Sequence, residues 1–138
     1  MSANSELYTD PTLDHYVKAA LEKKTVNMTI LDIRNLSSIA DILIICSGRS
    51  NRQVKAIAEH IRTNLKQKGI RPISVEGKKE GQWVLMDYAH VIIHIFYEPV
   101  RAFYDLEGLW ADARRVHTES FVSNPDTDKT LSTIKTDE

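Results

Sequence analysis

Residues 81–96 read Gly-Gln-Trp-Val-Leu-Met-Asp-Tyr-Ala-His-Val-Ile-Ile-His-Ile-Phe. Runs of β-branched, aromatic and large apolar residues on either side of Asp-Tyr-Ala-His predict two short strands folded back as a hairpin. Because side chains alternate across a strand, an even loop length places two sets of three residues on one face. These sets are Trp83, Leu85 and Asp87, and Ile92, His94 and Phe96. Such a mixture of indole, carboxylate and imidazole is more typical of a recognition surface than of a core.

The length and charge of the chain limit what kind of protein it is. Its 138 residues suit one domain that buries roughly two thirds of its unfolded surface in a single core. Lys and Arg number 18 against 19 Asp and Glu, which gives a formal charge of -1. Non-specific nucleic-acid binding needs a broad basic field, so a free-standing RNA-binding module is disfavoured and any RNA contact should be local.

Cysteine usage and the N-terminal residues bear on location. The single cysteine, Cys46, excludes an internal disulfide and indicates a reducing compartment. The first residues have neither the basic stretch nor the apolar run of a secretory signal, and no window reaches the roughly eighteen apolar residues of a membrane span. We therefore expect a cytoplasmic protein that does not enter a membrane.

Apolar spacing predicts a helix and two strands in the first third of the chain. Asp10-Pro11 suits a helix start, and the apolar residues that follow recur at helical spacing. They are Leu13, Tyr16, Val17, Ala20 and Leu21. Residues 27–33 then change to a strand-like pattern, and the apolar run 42–46 indicates a central strand buried on both faces.

A capping box predicts a second helix, with Ser50 accepting from the amide of Gln53 while the Gln53 side chain reaches back. The apolar stripe of this helix is Val54, Ile57, Ala58, Ile61 and Leu65. Residues 70–76 follow as a short strand in which Pro72 favours either an edge position or the start of the strand. Strand, helix and strand in this order predict a right-handed parallel crossover between residues 42–46 and 70–76.

The end of the chain divides into a helix and a polar tail. Glu98-Pro99 opens the final helix, and Gly108 either weakens it or marks a break. Its apolar positions are Val100, Phe103, Tyr104, Leu106, Leu109 and Trp110. We divide the chain into a flexible N-terminus 1–10, an α/β domain 11–119 and a disordered polar tail 120–138 whose composition cannot offset the entropy of ordering. The predicted fold is a mixed five-stranded sheet flanked by helices, in the order α-β-β-α-β-β-β-α.

Motifs for catalysis are weak. The turn at 47–49 before a capped helix could hold a phosphate, but it is too short for a Walker or dinucleotide motif, and a tight turn explains it better. A nucleotidyltransferase also needs acidic residues that hold metal ions. Asp87 has Leu85 and Ala89 at the positions that share its face, and His94 on the partner strand is a poor magnesium ligand. The residues alone require neither an enzyme nor a metal.

Trp83 has two interpretations that the sequence leaves open. It is either an ordinary core tryptophan under a helix or an anchor for a protein partner, because Trp is usually well buried and also dominates interface energetics. The neighbouring Lys78, Lys79 and Glu80 are either a solvated loop or the polar rim of such an interface.

Several separated blocks of the sequence together resemble the ribosomal silencing factor (iojap-like) family. The blocks are Leu36-Ser-Ser-Ile-Ala-Asp41, Ser47-Gly48, Arg52-Gln-Val54, Val75-Glu-Gly77, Trp83-Val-Leu-Met-Asp-Tyr88, His94-Ile-Phe96 and Arg101-x-x-Tyr104-x-Leu-Glu107-x-Leu-Trp110. They occur in order, and the match runs from about Leu13 to Trp110. The resemblance therefore covers the whole predicted domain.

The resemblance implies a nucleotidyltransferase-like α/β fold that lacks catalytic carboxylates and uses no cofactor or metal. It implies binding to the large ribosomal subunit through the universal ribosomal protein numbered fourteen. There the factor would keep the small subunit from joining and lower translation when nutrients are scarce. The alternative function is an active nucleotidyltransferase that uses a magnesium-bound nucleotide.

Carried over residue by residue, the resemblance implies a partner surface on one side of the hairpin. Its residues are Glu76, Gly77, Trp83, Leu85, Asp87, Tyr88 and His94. The two acidic residues of this set suit a basic ribosomal protein. Where the family typically has Gly-Asp in the hairpin turn, this chain has Ala89-His90, so a glycine and a charge are missing. A local contact with ribosomal RNA and a homo-oligomer remain open.

Overall fold

The computed structural model describes residues 11–117, so the predicted flexible N-terminus 1–10 and polar tail 120–138 lie outside the described residues. These residues form four helices and six strands. Their bounds are α1 Leu13–Leu21, β1 Val26–Asp32, β2 Ile42–Gly48, α2 Asn51–Gln67, β3 Ser74–Glu76, β4 Trp83–Asp87, β5 Val91–Tyr97, α3 Glu98–Tyr104, α4 Leu106–Leu109 and β6 Arg114–Arg115.

Within residues 11–117 the strands form one mixed sheet of six strands in the order β3-β4-β5-β2-β1-β6. Strands β2 and β5 are parallel, and every other neighbouring pair is antiparallel. The α/β class and the mixed sheet are confirmed, but the predicted number of five strands was wrong. The additional strand is β6, whose two residues pair with Leu31 and Asp32 at the sheet edge. Two adjacent arginines carry none of the apolar alternation by which a strand is recognised.

The hairpin of β4 and β5 has the predicted register. The pairs on the mixed face are Trp83 with Phe96, Leu85 with His94, and Asp87 with Ile92. The loop consists of Ala89 and His90, and Tyr88 N closes it by donating to the carbonyl O of Val91 at 2.9 Å. This even loop length is what keeps the two sets of side chains on one face.

Helices α1 and α2 cover one face of the sheet and bury the main core with it. Every apolar residue predicted to face inward from these two helices is buried. The predicted cap is present, because Ser50 Oγ accepts from Gln53 N at 3.0 Å. The return contact differs, since Gln53 Oε1 accepts from Arg49 N at 2.6 Å rather than from Ser50 N.

A smaller core lies on the opposite face. Its buried members are Leu31, Ile33, Ala40, Leu43, Ile45, Ile92 and Phe96. Helix α3 packs against β5 and β2, and Val100, Leu106 and Trp110 pack against this core. The final helix breaks at Asp105, which adopts a φ of +48°, and not at Gly108. The α3–α4 segment is therefore too short to cover the whole face, and the residues of β3 and β4 on it stay exposed or partly exposed.

The connection through α2 joins two strands that run in the same direction, as predicted, but β5 and β4 lie between β2 and β3 in the sheet. Strand β3 lies at the sheet edge, which is one of the two positions that Pro72 predicted, but it begins at Ser74 rather than at residue 70. None of the helices in residues 11–117 is long and apolar enough to cross a membrane.

Candidate functional site

An aromatic cluster surrounds Trp83 at the open part of the second sheet face. The Trp83 ring stacks on Phe96 with centroids 4.8 Å apart, and Tyr104 of α3 lies at the same centroid distance. The indole Nε1–H donates a hydrogen bond to Nδ1 of His94 at 3.0 Å. These neighbours hold a partly buried indole in one orientation.

His94 lies beneath this cluster and is only 7% exposed. Burial lowers the pKa of His94 to about 4, so the ring is neutral near pH 7. Because an indole N–H can only donate, the neutral ring accepts at Nδ1 and carries its proton on Nε2. Protonation would make Nδ1 a donor and break the bond to Trp83. His94 therefore positions Trp83 from below.

A shallow cleft of about 250 Å³ lies beside the indole and is lined by Glu76, Gly77, Trp83 and Leu85. Gly77 has a φ of +84°, and a Cβ at this position would lie 2.0 Å from the carbonyl O of Trp83. Only glycine permits this backbone conformation together with so close an approach. The turn after β3 and the start of β4 are thus fixed against each other and form one wall of the cleft.

Two carboxylates lie on the same face as the cleft. Glu76 is exposed and pairs in register with Leu85, and Asp87 is partly exposed and pairs with Ser74. Asp87 Oδ1 accepts from Ala89 N at 2.8 Å, so this carboxylate also stabilises the hairpin turn. Among residues 11–117 neither carboxylate forms an ion pair. Both therefore give the face negative charge.

Tyr88 is not brought to this surface. It is 4% exposed and lies in the main core on the opposite face, where its ring centroid is 5.1 Å from that of Tyr16. The alternation that places Leu85 and Asp87 on one side of β4 sends Tyr88 to the other. We therefore leave Tyr88 out of the candidate site.

The sequence pattern did not indicate that α3 and α4 contribute to the surface. Phe103, Tyr104 and Leu109 are 81%, 52% and 78% exposed, although their helical spacing predicted inward-facing positions. Asp105 separates α3 from α4 in a left-handed conformation, which Asp tolerates better than most residues other than glycine. We define the Trp83 surface by the residues Glu76, Gly77, Trp83, Leu85, Asp87 and Tyr104.

A polar network ties α3 and α4 to the sheet. Arg101 is 7% exposed and donates to Ser47 Oγ at 2.9 Å, to Thr29 Oγ1 at 3.2 Å and to both carboxylate oxygens of Glu107. Burial by itself would raise the pKa of Glu107, but the hydrogen bonds and charge of Arg101 outweigh it and lower the pKa. A pocket of about 560 Å³ opens beside this pair. Because the charges of Arg101 and Glu107 pair with each other, we interpret the network as one that stabilises the packing of α3 and α4 on the sheet.

The groups needed for metal or nucleophilic catalysis are not assembled in residues 11–117. No three His, Cys, Asp or Glu side chains of this part of the chain are grouped as a metal site requires. Burial raises the pKa of the Cys46 thiol to about 12, so it is not a thiolate at neutral pH. Fold and site together define an α/β domain with an open, aromatic surface.

Comparison with known proteins identifies the family. Residues 7–138 match the family model described as "Ribosomal silencing factor during starvation". The "Ribosomal silencing factor RsfS" of Halalkalibacterium halodurans is 38% identical over 107 residues, which cover 78% of this chain and 92% of that protein. The protein of the same description from Bacillus subtilis is 39% identical over 92 residues, covering 67% and 78%.

A solved structure agrees with these relatives. The crystal structure of a Chromobacterium violaceum protein has a TM-score of 0.72 at 33% identity and covers 76% of this chain and 88% of that one. The chain belongs to the ribosomal silencing factor (RsfS, iojap-like) family of non-enzymatic, ribosome-binding regulators of translation. The resemblance is confirmed, and family membership leaves the alternative of an active nucleotidyltransferase without support.

Proposed function

We propose that this chain silences ribosomes by docking on the large subunit and keeping the small subunit from joining. Its contact on the large subunit is the universal ribosomal protein numbered fourteen, and the docking face is the Trp83 surface. The action is steric, so no bond is made or broken. We further propose that it acts in the cytoplasm when nutrients are scarce.

The orientation of Trp83 is the observation that carries this proposal. The indole is held by a hydrogen bond to His94 and by stacking on Phe96, yet it remains partly exposed. A large aromatic side chain that is already fixed loses little conformational entropy when a partner covers it. Such residues are the usual anchors of protein interfaces, and a Trp needed only for the core would be covered by this chain itself.

The composition around Trp83 suits a basic protein partner. Glu76 and Asp87 supply negative charge next to an apolar centre of Trp83, Leu85 and Tyr104. Charges at the edge of an interface mainly speed association and exclude wrong partners, while the aromatic centre supplies most of the affinity. The exposed side chains of Phe103 and Leu109 extend the apolar area along α3 and α4.

Substitution of Trp83 tests the proposal. We expect Trp83→Ala to weaken binding by about 2 kcal/mol or more, which is roughly a 30-fold rise in Kd. The loss of affinity should be equal for purified large subunits, measured by co-sedimentation, and for the isolated ribosomal protein, measured by calorimetry. Ile39→Ala is the matched control, because Ile39 is 62% exposed and lies outside the Trp83 surface.

Circular dichroism is used as the control that both variants are folded. Trp83→Phe keeps the stacking on Phe96 but loses the bond to His94, so an intermediate affinity is expected. Unchanged binding of a folded Trp83→Ala variant would remove the Trp83 surface as the docking face. Equal weakening by Ile39→Ala would also contradict it.

A further inference from the structure

A second surface, next to the Trp83 surface, carries a group of exposed cations. We propose that it binds the phosphate backbone of ribosomal RNA beside the protein partner. We call this surface the basic patch and define it by the residues Lys23, Lys24, Arg49, Arg52, Lys55 and Lys79. The inference rests on the proposed function, because the RNA is that of the large subunit on which the chain docks.

Three separate segments of the chain bring these residues together at the first turns of α2. Gln53 Nε2 donates to the carbonyl O of Lys24 at 3.2 Å, so the loop after α1 lies against the start of α2. A Cβ on Gly81 would lie 2.7 Å from Asn51 O and 2.9 Å from Lys55 Cε. The loop of residues 77–81, which carries Lys79, therefore lies against the same turns.

Within the part of the chain that the structure describes, the cations of the basic patch have no partners. All six residues are exposed, and among residues 11–117 none of their side chains has an ion pair or a side-chain hydrogen bond. Nearby cations behave differently, since Lys78 and Arg62 both pair with Glu59. The acidic residues adjoining the patch in sequence are Glu22, which contacts His60, and Glu80. The patch is therefore positive although the whole chain has a formal charge of -1.

The position of these cations is unfavourable for the helix that presents them. The first turn of α2 contains no acidic residue, while Arg49 and Arg52 flank its N-cap Ser50. Cations near a helix N-terminus oppose the helix dipole and destabilise the helix. Helix stability alone would favour Asp or Glu here. A bound phosphate reverses the sign of this interaction, because it is attracted by both the arginines and the helix end.

The basic patch is continuous with the Trp83 surface. The loop 77–81 joins them, because Gly77 lines the cleft beside Trp83 while Gly81 contacts the start of α2. A large subunit presents protein and RNA side by side, so one docking event can place ribosomal protein against Trp83 and RNA phosphates against the patch. Cations spread over three segments suit a row of backbone phosphates better than one small anion.

Charge-neutral variants separate the two surfaces. Arg49→Gln, Arg52→Gln and Lys55→Gln combined remove half of the basic patch. The matched control combines Lys66→Gln, Lys68→Gln and Arg71→Gln, which removes the same charge at the far end of α2, about 21 Å from Arg52 at 1.5 Å per residue. This distance exceeds the Debye length of about 8–10 Å at physiological ionic strength. Binding of each variant is measured to purified large subunits and to the isolated ribosomal protein, across a series of salt concentrations.

For the variant that lacks Arg49, Arg52 and Lys55 we expect at least about tenfold weaker binding to large subunits. The slope of the logarithm of the binding constant against the logarithm of the salt concentration should be smaller in magnitude by about 2 to 3, since each lost phosphate contact removes about 0.7–0.9. Binding to the isolated ribosomal protein should not change. The melting temperature should stay the same or rise, because cations are removed from a helix N-terminus. The control triple variant should bind subunits like the wild type.

Three results would overturn the RNA contact. One is a patch variant that binds large subunits with wild-type affinity and salt slope. Another is equal weakening toward the isolated ribosomal protein, which would mean that the patch contacts protein. The third is equal weakening in the control variant, which would mean that only net charge matters. Wild-type protein that fails to bind large subunits at all would overturn the proposed function as well, so the two failures are distinguishable.

Discussion

At the scale of single residues, the hydrogen bond between Trp83 and His94 couples the proposed docking face to a buried ionisable group. The bond requires a neutral imidazole, and burial keeps it neutral by lowering the pKa of His94 to about 4. The burial of His94 was not identifiable from the sequence. Strand alternation predicts which side of the sheet a side chain lies on, but not how far other residues bury it. The register itself followed from the even loop length.

The stability of the fold should therefore depend on the protonation of His94. In the unfolded chain His94 takes up a proton as pH falls through 6.5, whereas in the folded protein it does so only near pH 4. The contribution of neutral His94 to the free energy of unfolding is fully present above pH 6.5. It is lost as the pH falls toward 4, by a total of roughly 3 kcal/mol. Urea denaturation at several pH values measures it. In the His94→Gln variant the free energy of unfolding should change less with pH between 6.5 and 5. An identical pH dependence in the variant and the wild type would show that His94 does not cause it.

The hairpin turn contains a strained residue. Ala89 has a φ of +75°, and His90 N donates to Tyr88 O at 3.1 Å across it, which is the geometry of a rare γ-turn. A side chain with a Cβ is disfavoured at positive φ. We expect Ala89→Gly to raise the free energy of unfolding by about 1 kcal/mol. Ala56→Gly, in the exposed middle of α2, should lower it by about 1 kcal/mol. A loss of stability in Ala89→Gly would show that the turn is not strained.

At the scale of elements, the sequence predicts well what depends on local pattern. The apolar stripes of α1 and α2, the cap at Ser50 and the hairpin each follow from residues close together in the chain. The break at Asp105 and the two-residue strand β6 do not, because each depends on how the last segment meets β1 and β2. The exposed side chains of α3 and α4 were missed for the same reason, and with them part of the Trp83 surface.

The Arg101–Glu107 pair is expected to hold the last segment in place. Arg101→Met leaves a largely buried carboxylate without its partner, so the free energy of unfolding should fall by about 3 kcal/mol. Changing both residues, to Met and Leu, should recover part of the loss, because no unpaired charge remains. Lys18→Met removes an exposed helical pair with Asp14 and should change stability by less than about 0.5 kcal/mol. Equal effects of Arg101→Met and Lys18→Met on urea denaturation would contradict this role.

At the scale of the whole molecule, the two faces of the sheet differ in how far helices cover them. Helices α1 and α2 seal one face and supply the main core. The other face is only partly covered by the short α3–α4 segment, which leaves Trp83 held in place but accessible. The basic patch lies at the start of α2 and adjoins this open face through the loop 77–81. A chain with almost no net charge can thus present an acidic, aromatic surface and a basic surface side by side.

Subunit joining is the most direct measurement of the proposed steric block. Purified large subunits are incubated with the chain, small subunits are added, and joined ribosomes are followed by light scattering and sucrose gradients. We expect the wild type to lower the fraction of joined ribosomes in proportion to the occupancy of the large subunit, and Trp83→Ala at the same concentration to leave joining nearly unchanged. Normal joining by large subunits that are saturated with the wild-type chain would contradict the steric block.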